Sequence, residues 1–188
     1  MSGELAAMVR PLLAEIDAVV AAMPEDALEP LIAAIIASRR LALYGQGRTG
    51  LVMQGLTMRL YHLGREAYFV GAMNAPPLGK GDLFLVNAAL GDLPTGLALI
   101  ASAKQAGALV AVITAVPDSP AGRGADLVLH IPGQTMANDT GTAARSCMPM
   151  GSQYEAVLFV LCEALVLRLA ERLSVSFAAM RERHANLL

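Results

Sequence analysis

Leu41-Ala42-Leu43-Tyr44-Gly45-Gln46-Gly47-Arg48-Thr49-Gly50 is the stretch that decides the fold. Four uncharged residues end abruptly in a turn with glycine at positions 45, 47 and 50. Behind them Leu51, Val52, Leu56 and Leu60 recur at helical spacing. A short apolar run, a glycine-rich turn and an amphipathic stretch spell strand, turn and helix, with the helix expected over 50–63. The same alternation continues outward. Strands are expected at 67–70, 83–87, 109–114 and 127–131, with helices at 92–106 and 120–124 between them. Upstream, Leu5, Met8, Leu12, Leu13, Ile16, Val19 and Val20 mark a helix over 4–23, and Pro11 inside it predicts a kink or a later start. A second helix is expected from Pro24 to about Arg39, with Pro30 able to reset its start. Downstream, 132–149 has no periodicity and reads as loop. Helices then follow over 151–173 and 175–185.

The strands are apolar on both faces, which means a parallel sheet covered on both sides. Five strands fit an α/β, doubly wound, flavodoxin-like sheet of order 2-1-3-4-5. Such sheets bind ligands at their carboxyl edge, where strand order reverses between strands one and three. The turns at 45–49 and 88–93 are expected to line that crevice.

The chain has 188 residues, enough for one substantial domain over 1–188. Hydrophobic residues make up 55% and charged residues 16%, against about 25% charged in ordinary soluble domains. That excludes a disordered chain. A net charge of -2, with arginines scattered, argues against a nucleic-acid partner. Cys147 and Cys162 make neither a disulfide framework nor a zinc set and suit a reducing, cytoplasmic location. The most apolar stretch, Val157 to Leu167, contains Glu163 and falls short of the roughly 20 residues of a membrane span. Met1-Ser2-Gly3-Glu4 carries acid where a secretory signal carries base. So much apolar surface in a chain this size predicts a symmetric homo-oligomer, with helices 4–39 and 151–187 contributing contacts.

Several residues carry candidate chemistry. In the 45–50 turn, backbone amides and a helix N-terminus converge on an anion, with Arg48 as cation and Thr49 as hydroxyl. The spacing also matches G-x-G-x-x-G formally, but the acidic residue expected about 20 positions on is replaced by Tyr68-Phe69-Val70-Gly71. A phosphate-type ligand, a dinucleotide and a merely tight turn all remain open at this point. Ser152-Gln153-Tyr154-Glu155 reads as a capping box, or Glu155 is a general base with its pKa raised by partial burial. His184, in Arg181-Glu182-Arg183-His184, either complements a helix C-terminus or serves as an acid/base group in a neighbouring subunit's crevice. His62 and His130 have no metal partner at ligand spacing and read as structural.

In these stretches the chain resembles a sugar isomerase (SIS) domain, in particular the 6-phospho-3-hexuloisomerase family. The matching segments are Gly45–Val52, Met58–Gly64, Gly81–Leu83, Ile131–Gly133, Pro149–Glu155 and Met180–Leu187, in family order over nearly the whole chain. The resemblance implies a dimer or tetramer. It also implies conversion of 3-hexulose 6-phosphate to fructose 6-phosphate through an enediolate, without metal, nucleotide or other cofactor. Glu155 matches the base, His184 a C-terminal histidine acting across a subunit interface, and Gly47 and Thr49 the first ligand loop. One segment departs. The family's Ser-Gly-Ser-Gly-Glu-Thr loop, which holds the phosphate, is here Ala88-Ala89-Leu90-Gly91-Asp92-Leu93. Three hydroxyl donors are gone, and Pro94 removes an amide from the following helix. The alternatives are therefore a non-catalytic sugar or sugar-phosphate binding module, or an isomerase of a different, less charged sugar. The substrate-binding set expected from these readings is Gly45, Gln46, Gly47, Arg48, Thr49, Ala88, Ala89, Leu90 and Gly91.

Overall fold

The computed structural model describes residues 3–186. Met1, Ser2, Leu187 and Leu188 lie outside, and with them the start of the acidic N-terminus and the last residue of the Met180–Leu187 segment. The elements run α1 (Glu4–Ala21), α2 (Glu29–Ala37), β1 (Arg40–Tyr44), α3 (Gly47–His62), β2 (Glu66–Phe69) and β3 (Leu83–Asn87). They continue with α4 (Pro94–Gln105), β4 (Leu109–Thr114), α5 (Pro120–Gly124), β5 (Leu127–His130), α6 (Ser152–Arg172) and α7 (Phe177–Glu182). All five strands are parallel in the order β2-β1-β3-β4-β5, the topology expected from the sequence.

Alternation of side chains along each strand divides the core in two. Leu41, Leu43, Leu83, Leu85, Ala111 and Ile113 face a layer built from α2, α3 and α6, which supply Ile32, Met53, Leu56, Leu158 and Leu165. Ala42, Phe84, Val86, Val110 and Val112 face the opposite layer, where α4 and α5 supply Ile100, Ala103 and Ala121. Every residue of β3 is buried, as the central strand of a doubly covered sheet must be.

Several element bounds differ from expectation, most by one to three residues, and the helix starts are the informative cases. α1 begins at Glu4 and runs through Pro11 rather than starting there; the missing N–H costs the Ala7 carbonyl its helical donor. The second helix starts at Glu29, not Pro24, because Pro30 fits the first turn and residues 24–28 form turns. α3 begins at Gly47, three residues early. Gly47 takes φ +56°, Gln46 ahead of it is extended, and the Gly50 amide already donates to the Gln46 carbonyl. Among the described residues, no helix is long and apolar enough to cross a membrane.

Candidate functional site

The β1 and β3 strands stay paired to their carboxyl ends, their helices α3 and α4 pack on opposite faces of the sheet, and the turns between frame a hollow of about 120 Å³. Gln46 and Thr49 contribute from the first turn, and Asn87, Ala89 and Leu90 from the second. Thr135, Met136 and Met150 form the outer wall, and Tyr154 and Glu155 enter from the first turn of α6. Wider depressions exist elsewhere, such as one of about 540 Å³ between α1 and the 132–145 segment. Neither that depression nor the other wide ones are lined by the turns leaving β1 and β3, where strand order reverses.

Glycine makes the first turn possible. A Cβ on Gly50 would sit 2.6 Å from the Gly45 carbonyl oxygen, so α3 can pack directly over the end of β1 only with hydrogen at that position. The first amides of α3 thereby face the crevice without helical partners. Thr49 donates its hydroxyl to the Gln46 carbonyl at 2.8 Å, so its proton is engaged within the turn and its oxygen remains an acceptor. Arg48 is drawn across to α6: its Nε lies 3.0 Å from Glu155 Oε2 and its Nη1 donates to Ser152 Oγ at 3.1 Å.

That contact displaces the expected capping box. Gly151, with φ +74°, takes the N-cap position of α6. Ser152 is already the first helical residue and makes no cap bond. Glu155 is instead turned toward the hollow. Its carboxylate is mostly buried, and Oε2 accepts no aligned hydrogen bond although Arg48 is close. Burial pushes the Glu155 pKa above the usual carboxylate range, and the Arg48 guanidinium opposes that push.

The second turn contributes backbone rather than side chains. Ala88 is buried, and its amide extends the sheet by donating to Ile113 O at 2.9 Å. Ala89 accepts from the Ala115 amide through its carbonyl, at 3.1 Å. The amides of Ala89, Leu90, Gly91 and Asp92 have no partner among the described residues. Gly91, at φ +79°, passes so close to Ser119 that a Cβ would fall 2.1 Å from its hydroxyl. Of the sequence-derived set, Gln46, Thr49, Ala89, Leu90 and Glu155 line the hollow. Gly45, Gly47, Arg48, Ala88 and Gly91 shape or flank it.

His184 lies elsewhere in its own chain. Its ring stacks on His62 with centroids 5.3 Å apart, at the far end of α3. That helix has 16 residues, so it separates the pair from the Gly47 turn by about 24 Å at ~1.5 Å per residue. Arg183 fastens the tail there by donating to the His62 carbonyl at 2.9 Å. Burial, then His184 and Arg59, hold the His62 pKa below the usual histidine range.

The outer wall is held from behind. Gln153 Oε1 accepts from the Gln134 amide at 2.7 Å, and Gln134 Oε1 accepts from the amides of Arg145 (2.6 Å) and Ser146 (3.1 Å). Glu15 on α1 closes the ring, accepting from Gln153 Nε2 (3.0 Å), the Cys147 amide (2.8 Å) and the Ser146 hydroxyl. The aperiodic 132–149 segment is thus ordered by side-chain amides and one carboxylate.

Asn87, Tyr154, Thr135, Met136 and Met150 belong to the hollow and were not singled out in the sequence. For Asn87 a signal was available: it is a polar residue ending an apolar strand at the sheet's carboxyl edge. No dinucleotide acid stands at the edge of β2, whose carboxylate, Glu66, lies at the opposite end and pairs with Arg40 at 2.6 Å. Among the described residues no group of three His, Cys, Asp or Glu side chains is placed to hold a metal ion.

A parallel doubly wound sheet, with a glycine turn at the switch point and a mostly buried carboxylate beside it, is the arrangement in which α/β proteins hold small polar ligands at their strand ends. The family model described as SIS domain matches residues 34–162, and the chain belongs to that family. A protein of Bacillus subtilis (strain 168) named 3-hexulose-6-phosphate isomerase is 32% identical over 179 residues, covering 95% of this chain and 96% of its own. A protein of the same name from Mycobacterium gastri is 35% identical over 153 residues, covering 81% and 76%. A crystal structure from Methanococcus jannaschii, for which a 3-hexulose-6-phosphate isomerase function has been inferred, shares the fold. Its TM-score is 0.83 with 24% identity, over 97% of this chain and 99% of that one.

Proposed function

We propose that the chain is a phosphosugar isomerase that interconverts 3-hexulose 6-phosphate and fructose 6-phosphate, with Glu155 as the base. The observation that carries this is the Glu155 carboxylate in the strand-edge hollow, largely buried, free of aligned hydrogen bonds and raised in pKa. Such a group takes a proton from the carbon next to a carbonyl and returns it to the neighbouring carbon. Between those steps the negative charge rests on the enediolate oxygens. The unclaimed amides of 89–92 and of the α3 N-terminus are the donors available to it. Arg48 opposes the rise in the Glu155 pKa and favours the ionised form that acts as base.

A cavity of about 120 Å³ is smaller than the roughly 300 Å³ at which ordinary ligand sites begin. The reading therefore includes a homo-oligomer in which a second copy completes the site and supplies His184 as the second acid/base group. Leu51, Met58, Phe159 and Leu167, exposed on α3 and α6, are the apolar surface such an assembly would cover. The test is turnover of 3-hexulose 6-phosphate by the purified protein. Glu155→Gln should lower kcat by about two to four powers of ten; an inactive wild type removes the proposal.

A second reading is favoured by one observation, the missing hydroxyls in Ala88–Leu93. It makes the chain a sugar-phosphate binding module without turnover. A rise in melting temperature with phosphosugars, in a protein that converts none of them, selects that reading.

A further inference from the structure

The hollow contains a polar pair to which the reading above gives no task. Asn87 ends β3 and is 4% exposed. Its Nδ2 donates to the Tyr154 phenol oxygen at 2.8 Å, and Tyr154 is itself 1% exposed. Asn87 Oδ1 is buried and has no hydrogen-bond partner among the described residues. A buried carbonyl oxygen left unpaired is unfavourable and uncommon, and where it persists in a ligand hollow it marks a missing donor. No donor of the protein is bonded to it: neither the polar residues that share the hollow, Gln46, Thr49 and Thr135, nor the free amides of 89–92 make a hydrogen bond to Oδ1. Nδ2 is engaged with Tyr154, which leaves Oδ1 as the group still to be paired. Burial pushes the Tyr154 pKa upward, so it stays a neutral phenol.

We propose that Asn87 Oδ1 is a substrate-recognition acceptor, taking a hydrogen bond from one neutral hydroxyl of an open-chain sugar bound beside Glu155, with Tyr154 as its positioning residue. An acceptor oxygen repels phosphate and carboxylate and is satisfied only by a donor. Asn87 therefore reads a hydroxyl-bearing carbon, and the anionic end of the ligand lies away from it, toward the α3 N-terminus. The absence of hydroxyls from Ala88–Leu93 then accompanies a change of task at this wall. The inference rests on the proposed reading that a sugar phosphate occupies the hollow, and it adds the residue that selects the sugar's hydroxyl pattern.

The experiment is calorimetric titration of wild type, Asn87→Ala and Tyr154→Phe with glucitol 6-phosphate and its monodeoxy derivatives, alongside turnover assays of the wild type. Asn87→Ala should weaken glucitol 6-phosphate roughly three- to tenfold, the range of one neutral hydrogen bond. One monodeoxy derivative should lose as much against wild type and nothing further against Asn87→Ala, the signature of a direct pair. Tyr154→Phe should lose less and discriminate less among the derivatives. Equal affinity of wild type and Asn87→Ala, or equal losses for every derivative in both, overturns the inference while turnover leaves the isomerase reading standing. Hydroxyl-dependent binding through Asn87 in a wild type without turnover does the reverse. A wild type that binds none of the probes overturns the inference, and the isomerase reading is then decided by turnover alone. If Asn87→Ala does not fold, an unchanged affinity in Tyr154→Phe overturns the proposal.

Discussion

Replacing Glu15 by alanine removes the carboxylate that ties α1 to the 132–149 segment and to α6. It accepts from the Cys147 amide at 2.8 Å, from Gln153 Nε2 at 3.0 Å and from the Ser146 hydroxyl. A hydrogen bond to a charged group contributes about 1.5–3 kcal/mol and a neutral one about 0.5–1.5 kcal/mol. Glu15 is half-exposed and partly screened, so the three together are worth about 2–4 kcal/mol. For a chain of this length that corresponds to a fall in melting temperature of about 4–16 °C. The loss is pH-dependent with a definite sign. Burial raises the Glu15 pKa, but the bonds from Cys147, Ser146 and Gln153 outweigh it and hold the group below its ordinary 4.5. A depressed acid stabilises the fold above its unfolded pKa and loses that contribution as pH falls through the folded value. The gap between wild type and variant should be full at pH 7 and shrink below about pH 4.5. Thermal melts at several pH values measure it. Labelling of exposed Cys147 gives a second readout: Glu15 holds that thiol's pKa up, so the variant should alkylate faster. Identical melts at pH 7, or a gap that does not narrow in acid, would refute the clasp.

Two further outcomes follow from contacts already described. Arg48→Ala removes the cation 3.0 Å from Glu155, so the acid limb of the pH–rate profile should move to higher pH, since the base then holds its proton longer; an unmoved limb separates Arg48 from the base. Asp82→Asn breaks a two-pronged bond from Arg39 (3.1 and 3.0 Å) and a bond from the Gly79 amide at a buried side chain. The expected cost is about 2–4 kcal/mol by urea unfolding at pH 7. Burial raises the Asp82 pKa, yet these partners hold it below 3.8, so the deficit should close only in strong acid.

The strands and their order were legible because an apolar run bounded by glycine or proline has few other solutions, and Leu83–Asn87 and Leu109–Thr114 match to the residue. The start of α6 was not. Ser152 and Glu155 have capping spacing, but the left-handed Gly151 takes the cap and Arg48, 104 residues earlier, claims the serine hydroxyl. The 132–149 segment stayed opaque for a related reason. It has no periodicity, and its order depends on Gln134, Gln153 and a carboxylate more than 130 residues away. Glu155 was readable as a candidate base because its environment is set by its own helix and a neighbouring turn. Asn87 gains its meaning only from Tyr154, 67 positions on, a contact no local pattern announces.

The close pass between Gly45 and Gly50 has a consequence for how new specificities arise on this scaffold. The turn beside the hollow has no room for a side chain at Gly50, whereas Leu90, Met136 and Met150 are side chains projecting from connecting segments outside the sheet. Exchanging them retunes which cargo is admitted while leaving the packed sheet alone. Drift in specificity should accumulate on these walls and spare the glycine turn.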